Sequence, residues 1–336
     1  MKRICFTALL LVCAASAHAQ GSVPVTVDNY NRAASDVNLA GVVRTGAFGR
    51  LVHGREPRPI DKRGAVRPSR DTLASEAVFD LDAGPATVTM PDAGERFVSM
   101  QIIDEDNYTP VVYYGAGSHT LMKDDIGTRY VLVIVRMLVD PDDPEDVAQV
   151  HALQDAIKIS QKALGKFEVP NWDDVSLLEV RGALLTLGKN VDYKRALGRR
   201  SEVDPIRHLI GTAVGWGGNP ESAALYALVT PAKNNDGTVY KLDVPGNVPV
   251  DAFWSISVYN AEGYFQRNDL DAYSLNSITA KKGRDGSVAV QFGGCDDKIP
   301  NCLPTPYGWH YAVRMYRPRE EILNGNWKFP EAQPVH

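Results

Sequence analysis

Cysteine is scarce in this chain, and long apolar runs, basic stripes and familiar catalytic signatures are scarcer. Only 4 of the 336 residues are Cys, and two of them, Cys5 and Cys13, fall within the first 19 positions. The apolar run 4–15 is shorter than the roughly 20 residues a membrane-spanning helix takes, and no later segment matches it, so no transmembrane segment is expected. Net charge is −5, with no basic stripe interleaved with aromatics, which argues against nucleic acid as a partner. No GxSxG, SxxK, HExxH or GxGxxG pattern occurs. The stretch 182–189 resembles a phosphate loop only superficially: its second Gly falls one residue late, and Leu185, Thr186 and Leu187 belong to a helix face. His53, His119, His151, His208, His310 and His336 include no pair at metal-binding spacing, so neither a metal nor a cofactor is expected.

What is present begins with an address. Lys2-Arg3, the apolar run and Ala17-His18-Ala19 before Gln20 follow the order of a cleaved secretory signal. Cleavage near Ala19 and a periplasmic or secreted destination are expected. Cys295 and Cys302 then remain, and two cysteines flanking a short loop in an oxidising compartment predict one disulfide. Their spacing suits neither a CxxC redox pair nor, without further ligands, zinc.

The 44% hydrophobic content supports a sizeable core divided into two or three domains. A helix is expected over 28–46 with Asp28 as its cap, and an Arg- and Pro-rich connector over 53–68. From Asp71 the period changes to two, and 75–81, 86–90, 96–104, 109–114 and 128–139 read as strands separated by turn signals. Asp143-Pro144 opens a helix, and 173–187 and 204–216 are two more. After Gly217-Gly218-Asn219-Pro220 the chain is β-rich nearly to its end. The expected segments are 1–19 (signal), 20–68 (helix and connector), 69–140 (β), 141–220 (helical) and 221–336 (β).

Candidate chemistry rests on few residues. Asp104, Glu105 and Asp106 cluster at a strand end, where mutual repulsion can raise one pKa and set an acid beside a base. Arg70, Asp71 and Thr72 join the connector to the first long strand, as a turn-holding motif or as groups facing a substrate. In the last third, Tyr273, His310 and Arg314 are candidates for binding. His310 shares a strand face with Ala312, while Trp309, Tyr311 and Val313 share the other. His208 is expected to be a hydrogen-bonded interior residue.

Asp71-Thr72-Leu73, Phe79-Asp80-Leu81-Asp82-Ala83-Gly84-Pro85, Pro91-Asp92-Ala93-Gly94-Glu95-Arg96-Phe97 and Met100-Gln101-Ile102-Ile103-Asp104 resemble bacterial domain-of-unknown-function family 1254. Pro249-Val250-Asp251-Ala252-Phe253-Trp254-Ser255, Tyr273-Ser274-Leu275, Asp285-Gly286-Ser287, Asn301-Cys302-Leu303-Pro304 and Arg314-Met315-Tyr316-Arg317-Pro318 resemble its companion, family 1214. The resemblance implies a mainly β protein: an N-terminal immunoglobulin-like sandwich, a helical middle and a C-terminal jelly roll. Ala74, Ala272 and Cys302 depart from it, standing where Tyr, Arg and Trp are usual, which puts any family contact made there in doubt.

Two functions follow as expectations. The first is a hydrolase for a small polar or carbohydrate-like substrate in a pocket between the β domains and the helices. Asp104 would be its general acid or base, Asp71 the carboxylate partner and Arg314 the anion stabiliser. The second is a non-catalytic binding or assembly protein of the cell envelope. A small-molecule ligand is expected in the first case, and a homo-oligomer is compatible with either.

Overall fold

The computed structural model describes residues 21–61, 66–235 and 237–335. The expected signal 1–19, its cleavage point near Ala19, Cys5, Cys13 and His336 lie outside these residues. The chain is mainly β, with six α-helices among the described residues.

The first half contains α1 (Tyr30–Arg44), β1 (Val52–His53), β2 (Thr72–Asp80), β3 (Ala86–Met90), β4 (Val98–Asp104), β5 (Val112–Tyr114), β6 (Gly117–Leu121), α2 (Lys123–Ile126) and β7 (Tyr130–Leu138). The middle contains α3 (Pro144–Asp155), β8 (Lys158–Gln161), α4 (Asp174–Gly188) and α5 (Pro205–Gly215). The last third contains β9 (Ala224–Val229), β10 (Tyr240–Val244), β11 (Trp254–Tyr259), β12 (Ser274–Asn276), β13 (Val288–Phe292), β14 (Cys302–Leu303), β15 (His310–Tyr316), α6 (Glu320–Leu323) and β16 (Gln333–Pro334).

Four sheets result, ordered β1-β2-β7-β4-β5, β6-β3-β8, β14-β13-β10-β16 and β12-β11-β15-β9. β7 explains why its sequence is nearly continuous apolar rather than alternating. Val131, Val133, Val135 and Met137 enter a core shared with Val88 and Met90 of β3 and Leu121 of β6, while Tyr130, Leu132 and Ile134 pack with Leu39 of α1 on the opposite face. A strand covered on both faces has no solvated side to signal with polar residues. In the last third, Trp254, Ile256, Val258, Trp309, Tyr311, Val313 and Met315 enter a second core with Leu242, Val290 and Phe292.

Several boundaries follow from local chemistry. Asp143, Asp173 and Asp204 cap α3, α4 and α5 through their side chains, and Pro144 and Pro205 open the first turns. Asp28 does not cap α1 as expected. Asn29 is the N-cap residue, and its side chain turns back, accepting from Thr26 and donating to the Pro24 carbonyl. Pro110 shortens the strand expected over 109–114 to β5, since it has no N–H for a ladder. The helical middle is interrupted by β8, which pairs antiparallel with β3 and so joins an N-terminal sheet.

The halves meet through an apolar junction of Phe97, Leu138, Ala224, Phe253 and Tyr316. The Phe97 and Phe253 rings are 5.3 Å apart, and Phe253 stacks on Tyr316 at 4.2 Å. Among the described residues no helix is long and apolar enough to cross a membrane.

Candidate functional site

One face of β11 and β15 supplies the aliphatic and aromatic core just described. The other presents Ser255, Ser257, Tyr259, His310, Ala312, Arg314 and Tyr316, all buried. It is covered by residues 66–71, a strap running from the connector into β2. Asp71 ties the two together: its Oδ2 accepts from the Ser69 hydroxyl at 2.6 Å and, across the junction, from the Ser255 hydroxyl at 2.7 Å.

Arg314 lies deeper, 4% exposed. Its Nη1 donates to Ser257 Oγ at 3.0 Å, and its Nη2 to the Arg67 carbonyl at 2.8 Å, the Pro68 carbonyl at 3.3 Å and Tyr259 Oη at 2.6 Å. Burial alone would lower its pKa, but Tyr259, Tyr316 and the Asp71 charge hold it above the ordinary arginine value. The Tyr259 hydroxyl itself donates to the Pro68 carbonyl at 2.7 Å. His310 Nε2 accepts from Arg67 Nε at 3.0 Å, and burial followed by the Arg67 charge pushes its pKa down. The expected division of faces on this strand is what the structure shows, with Trp309, Tyr311 and Val313 in the core and His310 under the strap rather than in solvent.

Arg70, Asp71 and Tyr273 come together at the edge of this face, around a cavity of about 30 Å³ shared with Asp140, Asp142 and Asp271. That volume suits a water or two rather than a substrate. Arg70 donates to the Arg58 carbonyl and lies 6.0 Å from the Tyr273 ring centre, while the Tyr273 hydroxyl donates to Asp271. Thr72, half-buried, opens β2 opposite Leu138. Ala74 and Ala272 pack as small apolar residues, and Cys302 forms the expected disulfide with Cys295.

Asp104 is not part of this assembly. β7 pairs Val131 with Asp104 on one side and Leu138 with Thr72 on the other. Asp71, one residue beyond Thr72, and Asp104 therefore stand at opposite ends of the sheet, roughly 26 Å apart along β7 at about 3.3 Å per strand residue. The expected acid–base pairing of these two carboxylates is not formed, because β2 and β4 run in the same direction on either side of β7, and Asp71 precedes the start of one while Asp104 ends the other.

Asp104 instead organises its own corner. Its Oδ1 accepts the Asp106 and Tyr108 N–H groups, each at 2.8 Å, and Arg200 lies 3.9 Å from Oδ2. Burial pushes its pKa up to about 6 despite those donors, with Asp106 adding repulsion. Asp106 is held below the usual carboxylate range, because hydrogen bonds from Arg32 and Arg200 outweigh a burial effect that alone would raise it. His208 stacks on Tyr108 at 4.1 Å, and its ring nitrogens each sit 2.9 Å from a carbonyl oxygen, of Ala196 and of Asp106. Behind them, Asp36 of α1 is 1% exposed. Its Oδ2 accepts from Trp172 Nε1 at 2.8 Å, and its Oδ1 has no hydrogen-bond partner among the described residues. Burial first, then the nearby Glu105 charge, push it up to about 6 against the opposing pull of the Trp172 bond. Among the described residues no group of three or more His, Cys, Asp or Glu is arranged to hold a metal.

A further site, lined by several charged groups, is one that the sequence reading missed. A cleft of about 450 Å³ opens where the first sheet, the turn before α5 and the last third meet, lined by Tyr114, Arg199, Glu202, Ser222, Asp251 and Arg317 among others. Arg199 Nε donates to the Pro110 carbonyl at 2.9 Å and lies 3.9 Å from Glu202. The Arg317 guanidinium sits 4.7 Å from the Tyr114 ring centre and 4.0 Å from Asp251. Arg317 adopts a left-handed φ of 51°, turning the chain out of β15. Burial holds the Tyr114 phenol above its ordinary pKa, keeping its proton available to donate. Another cavity, of about 480 Å³, lies between β1 and β8 and is lined by Leu51, Ile157 and Ile159 together with Arg50, Gln161 and His53, whose Nδ1 is 2.8 Å from Ser75 Oγ.

The proteins of unknown function named DUF1254 match over residues 48–124, and those named DUF1214 over residues 229–320. The chain carries both regions, in that order. The strap and Asp104 therefore belong to DUF1254, and Tyr259, His310 and Arg314 to DUF1214. The VPA0106 protein from Vibrio parahaemolyticus is similar in structure, with a TM-score of 0.71 at 17% identity over 92% of this chain and 98% of that one. An uncharacterized protein from Burkholderia cenocepacia is similar with a TM-score of 0.52 at 11% identity, over 92% and 88%. No curated protein matches the sequence. At these identities the likeness carries the fold alone, which is shared along nearly the whole chain.

Proposed function

We propose that this DUF1254–DUF1214 protein is a non-catalytic binding protein of the cell envelope that holds a small polyhydroxylated molecule in the cleft beside Tyr114. The observation that carries this reading is the lining itself. Arg199 beside Glu202, and Arg317 beside an Asp251 whose Oδ1 already accepts from Arg319, set donors next to acceptors around a volume of ligand size. Neighbouring hydroxyls, each both donor and acceptor, match such alternation, whereas a singly charged ligand would leave half the lining opposed. The separation of Asp71 from Asp104 supports binding over hydrolysis by a carboxylate pair, whose members stand about 5–9.5 Å apart in glycosidases.

Export is supported by the order of the first 20 residues and by the Cys295–Cys302 disulfide. We further infer that the N-terminal pair of sheets is an immunoglobulin-like sandwich and the C-terminal pair a jelly roll, a reading supported by the core each pair shares.

The test is a thermal-shift and calorimetric titration of the mature protein with a panel of monosaccharides and polyols. A ligand raising Tm in the wild type and bound at least about tenfold more weakly by Arg317→Ala is the expected result. A panel without a saturable ligand, or a ligand that Arg317→Ala binds unchanged, would sink the proposal. Conversion of the bound sugar, abolished in Asp104→Asn, would restore the hydrolase reading.

A further inference from the structure

Arg314 is a buried cation whose hydrogen-bonding partners are all neutral. Among the described residues it makes no ion pair, and Asp71, the carboxylate that acts on it at longer range, is engaged by Ser69 and Ser255. The strongest acceptors it meets are two carbonyl oxygens from consecutive residues of the strap, Arg67 and Pro68, both reached by Nη2. Both carbonyls meet the single nitrogen Nη2 and carry only partial charge, so no full negative charge is hydrogen-bonded to this buried guanidinium. The Tyr259 hydroxyl, which accepts from the same Nη2, and Ser257 complete the pocket wall.

The strap is anchored from beneath by Arg314, Tyr259 and Ser255, and more sparsely at its exposed end. Val66 and Arg67 are exposed, and Arg67 has a left-handed φ of 54°, a conformation that costs a non-glycine residue on the order of 1 kcal/mol. Two contacts of Arg67 fix its exposed end: its N–H donates to the Gly263 carbonyl at 2.8 Å, and its Nε donates to His310.

We propose that the pocket formed by Arg314, Ser257 and Tyr259 is a carboxylate-binding site that the chain's own strap occupies with the carbonyls of Arg67 and Pro68. A small organic acid binds there by displacing residues 66–68, so that its carboxylate replaces the carbonyls at Nη2 and supplies the full charge they lack. Affinity is reduced by the fraction of time the strap is closed, and loosening the strap tightens binding. This site is separate from the Tyr114 cleft and shares none of its lining residues.

The experiment titrates the full mature chain with succinate at constant ionic strength, following heat of binding and amide hydrogen exchange across residues 66–71. Arg67→Ala keeps its carbonyl but loses the bond to His310, and it should bind succinate about tenfold more tightly than wild type. Succinate should also accelerate exchange at the backbone amide of position 67 in both proteins, while Arg317→Ala, which disables the cleft, leaves both readouts as in wild type. The proposal is overturned if neither protein shows saturable binding. It is equally overturned if succinate binds while the Arg67 amide stays fully protected, or if Arg317→Ala abolishes the binding, since the acid would then sit elsewhere.

Discussion

Asp36 and Asp104 are single residues with consequences for the whole stability curve. Each has a folded pKa pushed up to about 6, above the ordinary carboxylate value, so the folded state binds a proton more tightly than the unfolded chain does. Their unfavourable contribution is absent below about pH 4, grows as pH rises through 6 and is complete near neutrality. Asp36→Asn retains an acceptor for Trp172 and removes the charge. Relative to wild type it should gain about 2 kcal/mol between pH 4 and pH 7, read from urea unfolding at the two pH values; a flat difference would refute the assignment. Asp71→Asn should act in the opposite direction. It weakens the acceptor of two hydroxyls and removes the carboxylate charge closest in effect to buried Arg314, a loss of about 2–3 kcal/mol in chemical denaturation.

At the scale of elements, the strap carries a pH dependence of its own. His310 has a folded pKa below its ordinary value, so its contribution is intact above that ordinary value and is lost as pH falls through the depressed one. Once protonated, Nε2 can no longer accept from Arg67 and the two cations repel. Exchange at the Arg67 amide, corrected for intrinsic rate, should accelerate on acidification in wild type and lose that dependence in His310→Gln. The 295–302 loop offers a simpler test: replacing both cysteines by Ser should lower stability by about 2 kcal/mol, because a closed loop this short restrains the unfolded chain only modestly.

The elements also show what the sequence could convey. Asp143-Pro144 announced α3, amphipathic patterning announced α4, α5 was expected over 204–216, and alternation announced β3, β4 and the two faces of β15. β8 was hidden because Lys158-Ile159-Ser160-Gln161 is a short polar edge strand amid helical neighbours, stabilised by pairing with β3 more than 60 residues earlier. The strap face was half legible. The polar residues of Trp254-Ser255-Ile256-Ser257-Val258-Tyr259 fall at every second position, yet only the fold reveals that both faces are buried. The Tyr114 cleft draws on positions near 114, 200, 251 and 317, and no local pattern can show that these converge.

At the scale of the whole molecule, the two halves behave as one unit. Phe97 of the first half packs its ring against Phe253 and Tyr316 of the second, and Asp71 bonds across the same junction to Ser255. Unfolding should accordingly be a single transition by fluorescence and by far-ultraviolet circular dichroism. Phe97→Ala should separate the two curves and destabilise by about 2–3 kcal/mol; coincident curves in that variant would show that the strap alone couples the halves.

In the largest N-terminal sheet, and again in the sheet under the strap, the strand latest in sequence sits in the middle. β7 enters between β2 and β4, and β15 between β11 and β9. Neither sheet can grow strand by strand as the chain emerges. The earlier strands wait with open edges until a segment some 27 to 92 residues downstream inserts, which delays the folding nucleus and prolongs exposure to aggregation. Refolding from denaturant should be slow and concentration-sensitive, and a chain that stays unfolded until its last central strand arrives is one that a translocation channel can still thread.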